Sequence, residues 1–303
     1  MARKELWPGR FNIGGRVFNA PGLEPALYAV STPIGNLGDI TLRALDVLAG
    51  ADLIVAEDTR VAFRLMQEYG IATRVERFDA HSSAERIADL ARRVLDGRPV
   101  ALISDAGTPM ISDPGADLAR AVRAAGGRVI AVPGASAVLA ALVSTDLPAD
   151  RFFFEGFLPQ KSGPRLRRLR ELENIPGTLV IFEAPHRIHE TLEDAGTVFP
   201  GRRFAVAREL TKRFETLYSG TAVEIGGALA LMPEVKGEIV LLIGPPGAKA
   251  APALDLDAKL KEAMQGLSVK DAASVVAAAA GLPRREVYAR AIVLDAEAKR
   301  AKA

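Results

Sequence analysis

The chain has 303 residues, 49% of them hydrophobic and 25% charged, with 39 Lys and Arg against 37 Asp and Glu for a net charge of +2. That length accommodates more than one core, and the mix excludes a mainly disordered, collagenous or fibrous protein. With no cysteine at all, a disulfide scaffold, a thiolate nucleophile, a Cys-ligated metal site and an iron–sulfur cluster are ruled out.

Residues 1–25 show no hydrophobic period and carry Gly9, Gly14, Gly15, Pro21, Gly22 and Pro25, so a loose leader is expected there. Polar residues follow the N-terminus where a secretory signal would have its apolar core. The longest uncharged stretch, 129–145, is shorter than the roughly 20 apolar residues of a bilayer span and holds Pro133 and Gly134. A cytoplasmic protein without a membrane partner is the expectation. Order begins at Leu27, where LYAVST reads as a buried strand. The loop PIGNLGD follows, then a helix over 41–49 capped by Thr41 or Asp39. Next come a strand at LIVAE, a helix over 59–69, a strand near 74–78 and a helix over 83–95. That last helix carries Ile87, Leu90, Ala91, Val94 and Leu95 at helical spacing. PVALIS, a helix over 116–125 and RVIAVP complete an α/β domain, 26–135, with a mostly parallel sheet.

A second α/β domain is expected over 136–244. Its strands are RFFFEGF, TLVIFEA, RRFAVARE and GEIVLLIG, with helices at 165–173, 188–195 and 222–231. Residues 245–257, rich in Pro, Gly and Ala, read as a linker. A small helical domain, 258–303, closes the chain with helices over 268–280 and 283–294. Their spacing fits a helix-turn-helix or a two-helix cap equally well.

Chemistry gathers at strand ends. SDAGTPMISDPG, 104–115, has the Gly and Pro content that lets backbone groups approach a ligand, although a rigid structural turn has the same signature. VPGASA, 132–137, ends a strand and opens a helix at Ser136, which is either an anion-accepting helix start or a plain N-cap. EDTR (57–60), APHR (184–187) and ARELTK (207–212) are polar clusters of mixed sign at other strand ends, together pointing to a polar cleft. Neither GxGxxG nor GxxxxGK[ST] is present, which disfavours dinucleotide and P-loop enzymes. His186 and His189 lack an obvious third ligand, so no metal site is assigned. Arg165, Arg167, Arg168 and Arg170 in SGPRLRRLR either grip phosphates or decorate a solvated helix bridged to Glu171 and Glu173.

TPIGNLGDIT with AEDTR, then LISDAGTPMISDPG, VPGASA, FEGFLP, FEAPHR and ARELTK, in that order, resembles the ribosomal RNA small-subunit methyltransferase I family, within the tetrapyrrole-methylase fold class. The likeness covers about 27–244, and KDAASVVAAAAGLPRREVYARAI is similar to that family's small C-terminal domain. The resemblance implies two α/β domains with a cofactor cleft between them and a homodimer. It also implies transfer of a methyl group from S-adenosylmethionine to the ribose 2′-oxygen of a cytidine in the decoding region of small-subunit (16S) ribosomal RNA or the 30S particle. By similarity, Pro33, Gly107, Thr108, Pro109, Ile111, Ser136, Ala137 and Phe182 line the cofactor pocket. Thr108 stands where many tetrapyrrole methylases have the aspartate of Gly-Asp-Pro, which argues against a corrin or porphyrin substrate. HSS at 81–83 departs from a frequent His-Asn-Glu, and Phe182 replaces a frequent tyrosine.

In this reading Glu57 or Glu209 accepts the proton of the attacking hydroxyl. Asn36, Arg60, His186, Arg187 and Lys212, with Arg165 and Arg168, hold the RNA. Two alternatives stand beside it: a tetrapyrrole-like small-molecule methyltransferase of the same fold, and a non-enzymatic DNA-binding regulator using the terminal helices.

Overall fold

The computed structural model describes residues 8–246, 256–280 and 283–300. The segment expected to be loose contains an antiparallel hairpin, β1 (Arg10–Ile13) and β2 (Arg16–Asn19). Gly14 and Gly15, with φ of 57° and 89°, form the tight turn whose twist suits a two-residue hairpin. β1 packs on the first two helices through Phe11, which is buried and stacked on Phe18. Four-residue strands are too short to show a period, so the glycine pair read as disorder when it is the turn.

Five parallel strands form the first sheet: β3 (Leu27–Val30), β4 (Leu53–Ala56), β5 (Val75–Arg77), β6 (Val100–Ile103) and β7 (Val129–Val132), in the order β5-β4-β6-β3-β7. Every residue of β3, β4 and β6 is buried, the pattern of strands covered on both faces. One face packs under α1 (Leu42–Gly50) and α2 (Thr59–Tyr69), the other under α3 (Ala84–Leu95) and α4 (Ala116–Ala124). Thr41 caps α1 by accepting the Ala44 N–H, while Asp39 lies in a separate 3-10 turn. Asp58 and Ser83 cap α2 and α3 in the same way, and left-handed Gly70 ends α2.

α5 (Ala137–Ser144) leads to a second, mixed sheet: β8 (Phe152–Phe157), β9 (Thr178–Glu183), β10 (Phe204–Arg208), β11 (Thr216–Gly220) and β12 (Ile239–Ile243), ordered β11-β10-β12-β9-β8. Only β8 and β9 run parallel; the other pairs are antiparallel. β11 escaped the sequence reading because ETLYSG alternates weakly across a half-exposed edge strand. α6 (Ser162–Glu171), α7 (Ile188–Val198) and α8 (Ala222–Ala230) cover one face. α5 covers the other, and Ile34 from the loop after β3 joins that same cluster. The first sheet's leading loop is therefore anchored in the core of the second.

Contacts divide the chain after Pro246. The second unit contains α9 (Leu256–Ala263), α10 (Val269–Ala280) and α11 (Arg284–Arg300), packed around Leu260, Ala273, Val276, Val287, Ala291 and Leu294. Ser268 caps α10 by accepting the Asp271 N–H. α9 falls partly in the stretch read as linker, and α11 outlasts the expected 294. Among the described residues no helix is long and apolar enough to cross a membrane.

If the hairpin is an integral part of the first core, Phe11→Ala will cost about 3 kcal/mol in urea unfolding. A loose leader would leave the midpoint unchanged.

Candidate functional site

Because β3, β4, β6 and β7 run parallel, the loops that follow them emerge at one edge of the sheet, where open α/β folds bind ligands. Two backbone hydrogen bonds join the first and third of these loops. Thr32 N–H donates to the Gly107 carbonyl at 2.9 Å, and Gly107 N–H donates back to the Thr32 carbonyl at 3.1 Å. The reversal needs the left-handed φ of 76° at Gly107, where a Cβ would also press to 3.3 Å from Ile34 Cγ2. Beside it the hydroxyls of Ser31 and Thr108 are 3.0 Å apart. Gly134, after β7, lies so close that a Cβ there would sit 2.9 Å from Ser31 Cβ. Three loops are thus pinned on Ser31 and Thr32.

The second sheet contributes the loop after β10. Its Thr211 hydroxyl accepts the Asn36 N–H at 3.1 Å, and a Cβ on Gly35 would collide with the Lys212 side chain. Left-handed backbone without glycine occurs at Met110, Ser112, Glu209 and Thr211, all in these loops. Each such residue costs of order 1–3 kcal/mol and marks a segment held in place by its surroundings.

Ala137 and Phe182 share one apolar cluster with Ile34, and Phe182 meets Phe154 edge-on at 4.9 Å and Phe157 at 5.7 Å. Gly107 and Pro109 are buried, Pro33 is half-buried, and Ile111 is exposed at the tip of the 104–115 loop. Ser136 caps α5 by accepting the Leu139 N–H.

The two candidate proton acceptors are driven in opposite directions. Burial, then the neighbouring carboxylates of Asp105 and Asp113, push Glu57 above the usual carboxylate range. Asp113 is raised as well, chiefly by burial, against a lowering hydrogen bond from Ser104. Glu209 is lowered, first by its 2.8 Å contact with Lys212 and further by the Glu238 N–H that it accepts. Arg60 is solvent-facing and pairs with Asp58, whose carboxyl it holds at about 2. Among the described residues no group of three or more His, Asp and Glu side chains is placed to hold a metal ion.

The arginine-rich helix requires a correction. Arg165 is fully buried, its guanidinium bonded to Asp194 at 2.7 Å, Glu190 at 3.3 Å and the Gln160 carbonyl at 3.0 Å. It ties α6 to α7 and presents no face to a phosphate. Arg168 is clamped by Glu155 and Glu171, which neutralise its charge. Arg167 and Arg170 remain exposed. Arg187 is half-buried and pairs with Glu183, and His186 is exposed beside it. Sequence reasoning missed Ser31, Thr32 and Thr211, the residues that bind the loops together. Only their place was visible in the sequence, Ser31 and Thr32 directly after one strand and Thr211 shortly after another, and not the glycines that they meet in other loops.

Residues 26–226 match the family of Tetrapyrrole (Corrin/Porphyrin) Methylases, and residues 250–295 match the RsmI C-terminal HTH domain. Among solved structures the fold is similar to the methyltransferase CobJ, with a TM-score of 0.56 and 21% identity over 73% of this chain and 94% of that one. It is also similar to diphthine synthase, with a TM-score of 0.55 and 16% identity over 72% and 90% of the two chains. Two α/β layers meeting at strand-end loops thus define an S-adenosylmethionine-dependent methyltransferase of the tetrapyrrole-methylase fold, with a small helical domain appended. A Ribosomal RNA small subunit methyltransferase I from Mesorhizobium japonicum is 44% identical over 93% of this chain and 96% of its own length. The one from Escherichia coli O157:H7 is 42% identical over 90% and 97%. The chain belongs to the ribosomal RNA small subunit methyltransferase I family.

If Arg165 is a buried tie, Arg165→Ala will lower unfolding stability by about 3 kcal/mol, because it strands the buried end of Asp194. Exposed Arg167→Ala will change it by less than about 0.5 kcal/mol.

Proposed function

We propose that this enzyme transfers the methyl group of S-adenosylmethionine to the ribose 2′-oxygen of a cytidine in the decoding region of small-subunit ribosomal RNA. One observation carries the reading: the loops at 31–36, 104–115 and 133–136 are tied together at Ser31, Thr32 and Gly107, and Asp105 and Asp113 of the middle one stand near Glu57, whose surroundings make it a stronger base. The two relatives above, 44% and 42% identical and named as ribosomal RNA small subunit methyltransferases, support the RNA class.

The residues fit the cofactor. At Gly107 the left-handed backbone disfavours any side chain and a Cβ would crowd Ile34 at 3.3 Å, which keeps this turn bare of a side chain. Thr108, Ile111, Ser136, Ala137 and Phe182 add hydroxyl, apolar and aromatic groups, buried Pro109 stiffens the turn, and Pro33 lies in the adjoining loop. The start of α5 offers free N–H groups to a carboxylate. When bound, the group supplies an electrophilic methyl on a positively charged sulfur.

This chain's part is orientation and proton transfer. Loops 31–36 and 209–212, joined by the Asn36–Thr211 hydrogen bond, hold the ribose hydroxyl in line. Glu57 takes the hydroxyl proton as the oxygen–carbon bond forms, and its raised affinity for protons favours that role. Glu209, already bonded to Lys212 and Glu238, is the weaker base and fixes its loop. Arg60, His186, Arg187 and Lys212 flank the substrate path. A second copy of the chain and a cytoplasmic setting belong to the same reading; α5 and β8 leave Leu139, Val143, Phe152 and Phe153 exposed for such a partner.

The test is transfer of radiolabelled methyl to small-subunit particles, followed by nucleoside mapping: label on a cytidine ribose supports the reading, and label on a base or on a small molecule overturns it. Glu57→Gln will slow single-turnover transfer by about 100-fold or more, and Glu209→Gln by much less. The wild-type rate will fall as pH drops through the raised Glu57 value, since the ionised form accepts the proton. Stability moves the other way. A carboxyl raised on folding stabilises the fold when protonated and loses that contribution as pH rises through its folded value. Glu57→Gln will therefore melt higher than wild type at pH 7, and the difference will vanish in acid.

A further inference from the structure

The carboxyl ends of β8 and β9, the one parallel pair of the second sheet, open onto a cleft of about 520 Å³. It is lined by Phe157, Gln160, Arg168, His186 and Arg187. A bulge creates it. The β8–β9 register slips between Phe154 and Gly156, where φ is 77°, so Glu155 is the extra residue and Phe157 is re-aimed. The Phe157 ring stands 59% exposed, which is unusual for a phenylalanine at a strand end, with one edge braced on Phe182.

The charges in this cleft are already matched. Arg168 is held by both oxygens of Glu155, at 2.5 and 2.7 Å, and by Glu171 at 2.7 Å. Every hydrogen bond of the Arg187 guanidinium is made through Nη2, to Glu183 and to the Leu158 carbonyl. With its cations neutralised, the cleft does not suit a phosphate. It retains a broad aromatic face, the exposed polar side chains of Gln160 and His186, and one unmatched donor. Arg187 Nε is the single buried side-chain nitrogen or oxygen without a partner among the described residues. Such a group costs free energy while it has no acceptor, and Arg187 is among the residues that line the cleft.

A flat, uncharged ring with a carbonyl on its edge meets all of these conditions. Resting on the methyltransferase reading above, we propose that this cleft is a subsite for one unstacked nucleobase of the RNA, separate from the nucleotide that is methylated. The base lies on Phe157 and turns its carbonyl toward Arg187, so Phe157 and Arg187 determine which RNA is accepted. Proteins that recognise single-stranded RNA stack splayed bases on aromatic rings in this way.

The full-length enzyme tests this directly. The sequence has a single tryptophan, Trp7, so Phe157→Trp in a Trp7→Phe background puts the only indole in the cleft. Small-subunit RNA added with S-adenosylhomocysteine will quench that indole. In parallel, Phe157→Ala will raise KM for the RNA about tenfold or more. It will leave S-adenosylhomocysteine affinity unchanged, and Phe157→Tyr will restore KM. An unquenched indole in a protein that binds and methylates RNA overturns the subsite. So does an unchanged KM in Phe157→Ala, or a KM rise accompanied by lost S-adenosylhomocysteine affinity, which would make Phe157 a mere support for Phe182. Quenching by RNA in a protein that transfers no methyl would keep the subsite and sink the catalytic reading instead.

Discussion

The reciprocal hydrogen bonds between Thr32 and Gly107 are the constraint on which the candidate site rests. β3 and β6 are parallel neighbours whose loops would otherwise diverge after the last ladder bond. The antiparallel bridge turns one chain back on the other and holds both against the edge of the sheet. Thr108 is then brought onto Ser31, and Ile34 is directed into the core of the second sheet. Two backbone bonds within the first sheet's loops thereby place the side chain that packs into the second sheet's core. A side-chain contact could not do so as firmly, since it would carry rotamer freedom that a backbone bridge lacks.

Around that joint the electrostatics are sorted by sheet. The first sheet's loops gather Glu57, Asp105 and Asp113, and burial, with the nearby carboxylates, raises Glu57 and Asp113 above the usual range. The second sheet's loop sets Glu209 against Lys212 and Glu238, which keeps the Glu209 carboxylate ionised. Two glutamates are thus driven in opposite directions, Glu57 chiefly by burial and Glu209 chiefly by its bond to Lys212. The buried Arg165 shows the same principle away from the site. Its charge is tolerated inside because Asp194 and two further acceptors surround it.

Much of this architecture was legible in the residue order. The helix over 59–69 and the buried runs LIVA and VALI coincide with their elements, because long apolar periods and caps such as Asp58 and Ser83 are strong local signals. The hairpin at Arg10–Asn19 and the strand Thr216–Gly220 were not legible, being short and half-exposed, so no period survives in them. The glycine-rich loops announced a site, but their mutual contacts did not follow from sequence. The Thr32–Gly107 pairing spans residues far apart in the chain, and nothing local records it. Arg165 misled for a related reason: four arginines in six positions look alike until packing buries one of them.

The left-handed backbone at Met110, Ser112, Glu209 and Thr211 has a consequence for how this enzyme adapts to heat. Glycine would occupy those four positions without torsional strain, yet none of them is glycine. A glycine there would relieve the strain but would lose more freedom on folding, so the surrounding contacts must hold these loops in place. On heating, these two strained loops gain more by relaxing than the buried strands that carry them, so they loosen first.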